Sequence, residues 1–229
     1  MNLALIPARS GSKGLKDKNI KLFNQTPLLA VSIKCAADSG LFDEIFVSTD
    51  SQEYADIAMR HGGAVPFLRE KSLAGDETPM WDVVRDVLVR YMDMGKRFEM
   101  VTLLQPTSPL RLPADILAAH ALYMEKNADS VVAVCRADHA PYLYNTLPPD
   151  GLMHGFIKHE LLVKQRQQFE DYYRVNGALY MIKCDYLMKT SDIYGQNSFA
   201  YVMPKERSVD IDDEWDFIAA EAFYFRMGR

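Results

Sequence analysis

Cysteine is scarce. The 229 residues contain three, Cys35, Cys135 and Cys184, with no Cys-x-x-Cys pair among them. That argues against a disulfide framework or a structural zinc site and fits a reducing compartment. Long apolar runs are missing as well. No stretch approaches the roughly 20 residues a membrane-spanning helix needs. The apolar start, Met1 to Pro7, is too short for a secretory signal and has no basic lead. Nor is there an excess of positive charge: 26 Lys and Arg stand against 31 Asp and Glu, for a net charge of -5. A mild negative balance argues against broad binding to nucleic acid or an anionic membrane, but leaves room for a local basic pocket. The expectation is a cytoplasmic protein. No Gly-x-x-x-x-Gly-Lys-Ser/Thr loop and no Gly-x-Gly-x-x-Gly fingerprint occurs, so a Walker-type site and a nicotinamide or flavin cofactor are disfavoured. No histidine pair has metal-ligand spacing, and His139 alone falls near a suspected pocket.

What is present is material for one sizeable core, with 48% apolar residues and an ordinary 25% charged. Strand and helix signals alternate. Leu3–Pro7 reads as a buried strand, and so do Glu44–Thr49, Val65–Leu68, Glu99–Leu104, Ser130–Cys135 and Ala178–Ile182. Helical spacing marks Pro27–Ser39, Gln52–Arg60, a stripe of Trp81, Val84, Leu88 and Tyr91, and Pro113–Lys126. A closing helix carries Trp215, Ile218, Ala222 and Phe223. Gly40 suits a helix stop. This rhythm predicts an α/β fold with a mostly parallel, doubly wound, Rossmann-like sheet. One domain spans 1–229, with no internal repeat. The rhythm breaks over approximately 136–176, a loop-rich insertion containing Pro141, Pro148-Pro149 and Asp150-Gly151. In such folds ligands sit beyond the carboxyl ends of the strands, which here carry Arg9 to Asn19, Ser48 to Asp50 and Gln105 to Arg111.

The strongest chemical signal is the loop after the first strand. Arg9 to Asn19 holds two glycines, two serines and four cations in eleven residues. Glycines let a backbone approach an anion closely, and successive N–H groups form an anion nest. Arg9, Lys13 and Lys18 supply charge for a triphosphate. A solvated basic loop is the plainer reading, but its place after the first strand favours phosphate. Near the other end, Asp210 and Asp212 lie two apart, which puts both carboxylates on one face of an extended segment. Hard oxygen ligands on one face suit Mg²⁺, although Asp212-Asp213-Glu214 also makes a good acidic first helical turn. Asp213, Glu214 and Asp216 are read as capping and solvent-facing residues, and Arg111 as a structural ion-pair partner.

The loop from Ala8 to Asn19 resembles the signature of the acylneuraminate cytidylyltransferases, Ala-Arg-x-x-Ser-Lys-Gly-(Ile/Leu)-x-x-Lys-Asn, and matches each fixed position. Three further blocks follow in the family's order. Leu103 to Arg111 is similar to its central Leu-Leu-Gln-Pro-Thr-Ser-Pro-Leu-Arg motif. Arg166-Gln167-Gln168 through Asn176-Gly177-Ala178-Leu179-Tyr180 is similar to its sugar-pocket segment, and Val209-Asp210-Ile211-Asp212 to its metal motif. Kdo cytidylyltransferases and sugar-1-phosphate nucleotidyltransferases have different first loops.

The resemblance implies a nucleotidyltransferase that joins CMP from CTP to the anomeric hydroxyl of an acidic nine-carbon sugar, releases pyrophosphate and uses Mg²⁺ on Asp210 and Asp212. It implies nucleotide contacts at Ala8, Arg9, Ser12, Lys13, Lys18, Asn19, Arg69 and Thr78. Sugar contacts fall at Gln105, Arg166, Asn176 and Tyr180, with catalysis resting on Arg9, Lys18 and Asp212. Arg166 brings a planar fork for a sugar carboxylate. The resemblance sets it in an insertion that crosses to a partner subunit, hence a homodimer with a shared site. Two departures bear on the acceptor. The segment Leu73 to Met80 offers Thr78 as its only obvious hydroxyl where the family often clusters several. His139-Ala140-Pro141-Tyr142 lacks the lysine that sialic acid members commonly carry nearby. Legionaminic and pseudaminic acids therefore stand beside N-acetylneuraminic acid as candidate acceptors. The alternatives are a glycosyltransferase-like enzyme using a nucleotide sugar and a non-catalytic nucleotide-binding protein.

Overall fold

A computed structural model describes residues 1–12, 14–158 and 170–228 of the chain. The first apolar run is its centre. β1 (Asn2–Pro7) carries Leu3 to Ile6, none of which has exposed surface. With β2 (Leu22–Phe23) and β3 (Thr26–Pro27) forming a small hairpin, the next sheet strand is β4 (Glu44–Ser48), parallel to β1 on one side. β5 (Met100–Leu103) is parallel to β1 on the other. β6 (Ser130–Arg136), β7 (Tyr173–Lys183) and β8 (Ser198–Val202) complete a six-stranded sheet ordered β4-β1-β5-β7-β6-β8. β7 runs antiparallel to both β5 and β6, whereas β6 and β8 are parallel. Five strands share one direction and β7 alone opposes them, so the sheet is mostly parallel.

Alternation along β1 shows why both faces need cover. Ala4 and Ile6 enter a core with Leu29, Ile33 and Ala36 of α1 (Leu28–Ser39), Tyr54 and Ala58 of α2 (Gln52–Arg60) and Ile116 and Ala119 of α4 (Pro113–Lys126). Leu3 and Leu5 enter the opposite core with Val84, Leu88 and Tyr91 of α3 (Met80–Asp93) and Leu187 of α5 (Cys184–Leu187). A third cluster joins Phe23 and Leu28 to Ile211 and to Phe217 and Ala220 of α6 (Glu214–Arg226). Among the described residues no helix is long and apolar enough to cross a membrane.

Four sequence expectations change. Val65–Leu68 is not a strand; a single bridge, Phe46 to Ala64, stands there. Pro66 has no N–H to extend a ladder. β7 begins at Tyr173, so the last part of the expected insertion belongs to the sheet. β8 was not anticipated, because its five residues SFAYV read ambiguously at the sheet edge. On α6 the inward residues are Phe217 and Ala220, while Trp215, Ile218 and Phe223 are exposed. That helix is apolar on most sides, so periodicity alone does not select its buried stripe.

Candidate active site

The loop after β1 is shaped by side chains from outside it. Buried Ala8 donates its N–H to the Ser48 carbonyl at 2.8 Å, continuing the sheet one residue past Pro7. The Ser10 N–H and hydroxyl then both donate to the two oxygens of Asp50, each at 2.8 Å. Burial alone would raise the Asp50 pKa. The two donors from Ser10, helped by the Arg69 charge, outweigh it and hold the carboxyl below its usual range. At the far end Asn19 Nδ2 donates to the Arg9 carbonyl at 3.0 Å and closes the loop on itself. Asp17, with φ of 51°, accepts from the Tyr54 hydroxyl at 3.1 Å.

Three described cations converge on this frame. Arg9 pairs with Asp76 at 2.5 Å and reaches the Ala74 carbonyl at 3.4 Å. Lys18 donates to the Ile211 carbonyl at 2.5 Å and lies 3.2 Å from Asp212 Oδ1. Arg69 is buried and holds the Ser48 hydroxyl at 3.0 Å and carbonyl at 2.8 Å. Burial pushes its pKa down to about 10, with Arg9 adding repulsion and Asp50 opposing, so it remains a cation at neutral pH.

The acidic motif enters from the other end of the chain. Ile211 donates its N–H to the Thr107 carbonyl at 2.9 Å and buries its side chain in the third core cluster. Its neighbours Asp210 and Asp212 both line the cleft. Asp212 is largely exposed. The Asp210 carboxyl is raised above its usual range, first by burial, with repulsion from Asp212 added. The Thr107 hydroxyl, Lys18 and Arg174 oppose the shift. One oxygen of Asp210, Oδ1, is buried with no hydrogen-bond partner. Among the described residues no group of three or more His, Cys, Asp or Glu is placed to hold a metal. Two carboxylates, one with an unused buried oxygen, fit Mg²⁺, which completes its shell with phosphate oxygens and water.

Glycine permits two of the contacts. At Gly14 an added Cβ would overlap the Asp212 carbonyl, so the basic loop and the acidic segment touch backbone to backbone. Gly177 has φ of 75°, and an added Cβ would lie 2.5 Å from Gln105 Oε1 and 3.3 Å from Asp210 Oδ2. The start of β7 thus lets the amide and the carboxylate close over it.

The result is a cleft of about 500 Å³ whose wall contains Arg9, Ser12, Lys18, Asn19, Arg69, Gln105, Asp210 and Asp212. Its cations and carboxylates share one wall closely enough that Lys18 and Asp212 are 3.2 Å apart. Other expected residues lie elsewhere. Ala8 sits beneath the loop, fully buried, with its N–H spent on the Ser48 carbonyl. Lys13 and Arg166 lie outside the described residues. Thr78 is not in the wall; its segment reaches the cleft through Asp76 and Met80 instead. Asn176 is 1% exposed and spends its amide internally, on the Ser208 hydroxyl at 2.9 Å and the Ala178 N–H at 3.1 Å. Tyr180 stacks edge-on against Trp81, with ring centroids 5.6 Å apart, and burial pushes its hydroxyl up to about 12. His139 does not line the cleft either.

Some assignments outside the site also change. Arg111 has no carboxylate within ion-pair reach among the described residues; it is buried and donates to the Ala178 and Gln105 carbonyls and the Ser32 hydroxyl. Asp213 and Asp216 do cap α6, reciprocally, and Glu214 is exposed as expected, where it pairs with Lys21 at 3.2 Å. Sequence reasoning missed Asp76, Met80 and Arg174. Asp76 was legible as the acid in Leu73-Ala74-Gly75-Asp76, within the segment that the resemblance already marked. Arg174, which donates to the Ser208 carbonyl at 2.8 Å and adds positive charge near Asp210, was hidden in a polar run with no period.

Residues 3–221 match a family model described as Cytidylyltransferase. The chain is 35% identical over 228 residues to an N-acylneuraminate cytidylyltransferase of Escherichia coli O18:K1:H7, covering 99% of this chain and 53% of that protein. It therefore spans about half the length of that relative. It is 35% identical over 227 residues to a CMP-N,N'-diacetyllegionaminic acid synthase of Legionella pneumophila, covering 96% of this chain and 94% of the relative. Among solved structures, a CMP:2-keto-3-deoxy-manno-octonic acid synthetase complexed with CTP superposes with a TM-score of 0.74 over 99% of both chains at 14% identity. That likeness is one of fold.

Proposed function

The chain belongs to the cytidylyltransferase family, and from that premise we propose that it transfers CMP from CTP to the anomeric hydroxyl of a nine-carbon acidic sugar, releasing pyrophosphate. The observation that carries the reading is the junction of Lys18 with Ile211 and Asp212, which couples a phosphate-type loop to a carboxylate pair in one cleft. Relatives that span nearly the whole chain support the acceptor class: N-acetylneuraminic, legionaminic or pseudaminic acid. Family membership displaces the glycosyltransferase and non-catalytic alternatives.

Phosphoryl-type transfer needs alignment and charge neutralisation more than covalent help from the protein. Arg9 and Lys18, with Lys13 beside them in sequence, neutralise the phosphates as charge moves to the leaving pyrophosphate. Arg9 exchanges its Asp76 partner for phosphate on binding. Arg69 adds a fixed, desolvated positive charge behind the loop. Ser12 and the loop amides hold phosphate oxygens, and Gln105, which can donate and accept, orients the acceptor. Asp210 and Asp212 would hold Mg²⁺, which would supply Lewis-acid polarisation of the phosphate. Arg166 and the insertion at about 136–176 form the carboxylate reader and the arm of a homodimer. The exposed Tyr144, Leu147, Leu152 and Met153 on that arm support its having a partner.

The test is pyrophosphate release from CTP and Mg²⁺ with N-acetylneuraminic, legionaminic, pseudaminic and Kdo acids as acceptors. Release with one nine-carbon acid and not with Kdo is expected. Folded, CTP-binding protein that is silent with all four sinks the acceptor assignment, and light scattering that gives a monomer sinks the shared site.

A further inference from the structure

α6 carries more apolar surface than the core beneath it uses. Phe217 and Ala220 face inward. Trp215, Ile218, Ala222 and Phe225 recur at steps of three and four on the outward side, and all four are exposed. Trp215 is 78% exposed and Phe225 63%. That spacing joins them into one stripe along about three helical turns. Single apolar residues are ordinary on a protein surface, whereas a continuous stripe that includes a tryptophan marks a contact face.

The stripe is complementary to itself. Trp215 and Phe225, Ile218 and Ala222, and Glu214 and Arg226 form pairs at equal distances on either side of Ala220. When two copies of α6 are laid antiparallel about a two-fold axis at that level, Trp215 of one meets Phe225 of the other and Ile218 meets Ala222. The charges agree with this register. Glu214 then faces Arg226 of the other copy at both ends of the contact. Glu214 is exposed and paired with Lys21 at the surface, and among the described residues no carboxylate engages Arg226. A parallel arrangement would set like charges together and align the two helix dipoles, which the antiparallel one opposes. We propose that the outward face of α6 binds a second copy of this chain, antiparallel, through a two-fold interface separate from the insertion at about 136–176. In such an interface each residue meets its mirror position, and self-complementary patterning is what it requires. A single helix pair buries less than the roughly 1,600 Å² of a standard interface, so the contact forms and dissociates with concentration.

The test is sedimentation velocity of the full chain over a wide concentration range at low ionic strength. The parent's mass should rise with concentration to at least twice that of Trp215→Glu, which keeps whatever mass the insertion confers. A parent that passes from monomer to dimer, with Trp215→Glu monomeric, removes the arm and keeps this face, so the two interfaces fail separately. Arg226→Glu sets two acids against each other at both ends and should weaken the association about tenfold. Adding Glu214→Arg to it reverses both charges and should restore the association, which a merely sticky tryptophan would not do. A parent that stays at the mass of Trp215→Glu at every concentration overturns the proposal and leaves the stripe to a different protein. A concentration-dependent step that survives Trp215→Glu overturns it as well, because the association then lies elsewhere. Failure of the double charge reversal to restore what Arg226→Glu loses overturns the antiparallel register.

Discussion

Gly14 and Asp212 are 198 residues apart in sequence, yet a β-carbon on the glycine would overlap the aspartate's carbonyl oxygen. This contact brings the basic loop within reach of the acidic segment. Gly14→Ala must push the two apart, and a backbone carbonyl cannot step aside as a flexible side chain could. Lys18, which bonds the Ile211 carbonyl at 2.5 Å, is displaced with the loop. Because both segments are near the surface, the effect falls on catalysis more than on folding. A drop in kcat/KM of about 10²-fold is expected, since misplacement near 1 Å costs roughly that much. Steady-state pyrophosphate release checks it, and unchanged kinetics would mean the loop shifts without consequence.

Lys18→Met removes the charge while keeping the length of the stem. Its Nζ is the atom that joins loop to carboxylate, so loss of kcat by about 10²–10³ is expected, the usual loss for one transition-state donor. Arg9→Ala should fall in the same range. A mutant whose KM for CTP rises while kcat holds would assign the residue to uniform ground-state binding instead.

At Gly177 two penalties combine. Its φ of 75° strains any residue with a side chain, and the added carbon would lie 2.5 Å from Gln105 Oε1. Gly177→Ala should cost about 1–2 kcal/mol for the left-handed backbone alone, which lowers Tm by about 2–4 °C per kcal/mol in a chain of this size. Gln105 must also turn away, so KM for the acceptor should rise more than KM for CTP. Thermal unfolding and two-substrate kinetics read the two effects separately.

The Asp210 oxygen that lacks a partner makes a further case. Asp210→Asn keeps the shape but offers a neutral, weaker ligand. The magnesium concentration for half-maximal activity should rise about tenfold or more, as replacing a ligand or its close support typically does. Titration of activity with MgCl₂ measures this. An unchanged requirement would leave the metal to the triphosphate and Asp212 alone.

The parts of this site legible in sequence were those that chemistry confines to a short span. The loop from Arg9 to Asn19 shows its cations and glycines side by side, and the Asp-x-Asp spacing shows its shared face. The residues misread were those whose role depends on distant partners. Asn176 looks like a sugar reader until Ser208 closes over it. Arg111 looks like half of an ion pair until it proves to hold carbonyls. Asp76 becomes informative only when the fold sets it against Arg9. Among the elements, strands with both faces covered, such as β1, announce themselves by unbroken apolarity, whereas the edge strand β8 does not. α6 shows the limit of helical periodicity: with apolar residues around most of its circumference, only packing against Phe23 and Leu28 selects Phe217 over Trp215.

The last prediction concerns pH and the frame beneath the loop. Asp50 accepts from both the N–H and the hydroxyl of Ser10, and its carboxyl titrates below the ordinary value of 3.8 in the folded protein. A group whose folded pKa is depressed stabilises the fold above its unfolded pKa, and that contribution is lost as pH falls through the folded one. Asp50→Asn should therefore destabilise the protein by about 1–2 kcal/mol at neutral pH, the worth of hydrogen bonds to a charged acceptor less what the amide oxygen retains. The difference from the parent should shrink as pH drops below 3.8. Urea unfolding of both proteins at pH 7 and at the lowest pH where the parent still folds measures it. A gap that stays constant across that range would mean the Ser10 contacts hold a neutral acid as well as they hold the carboxylate. The loop's anchoring would then owe nothing to charge.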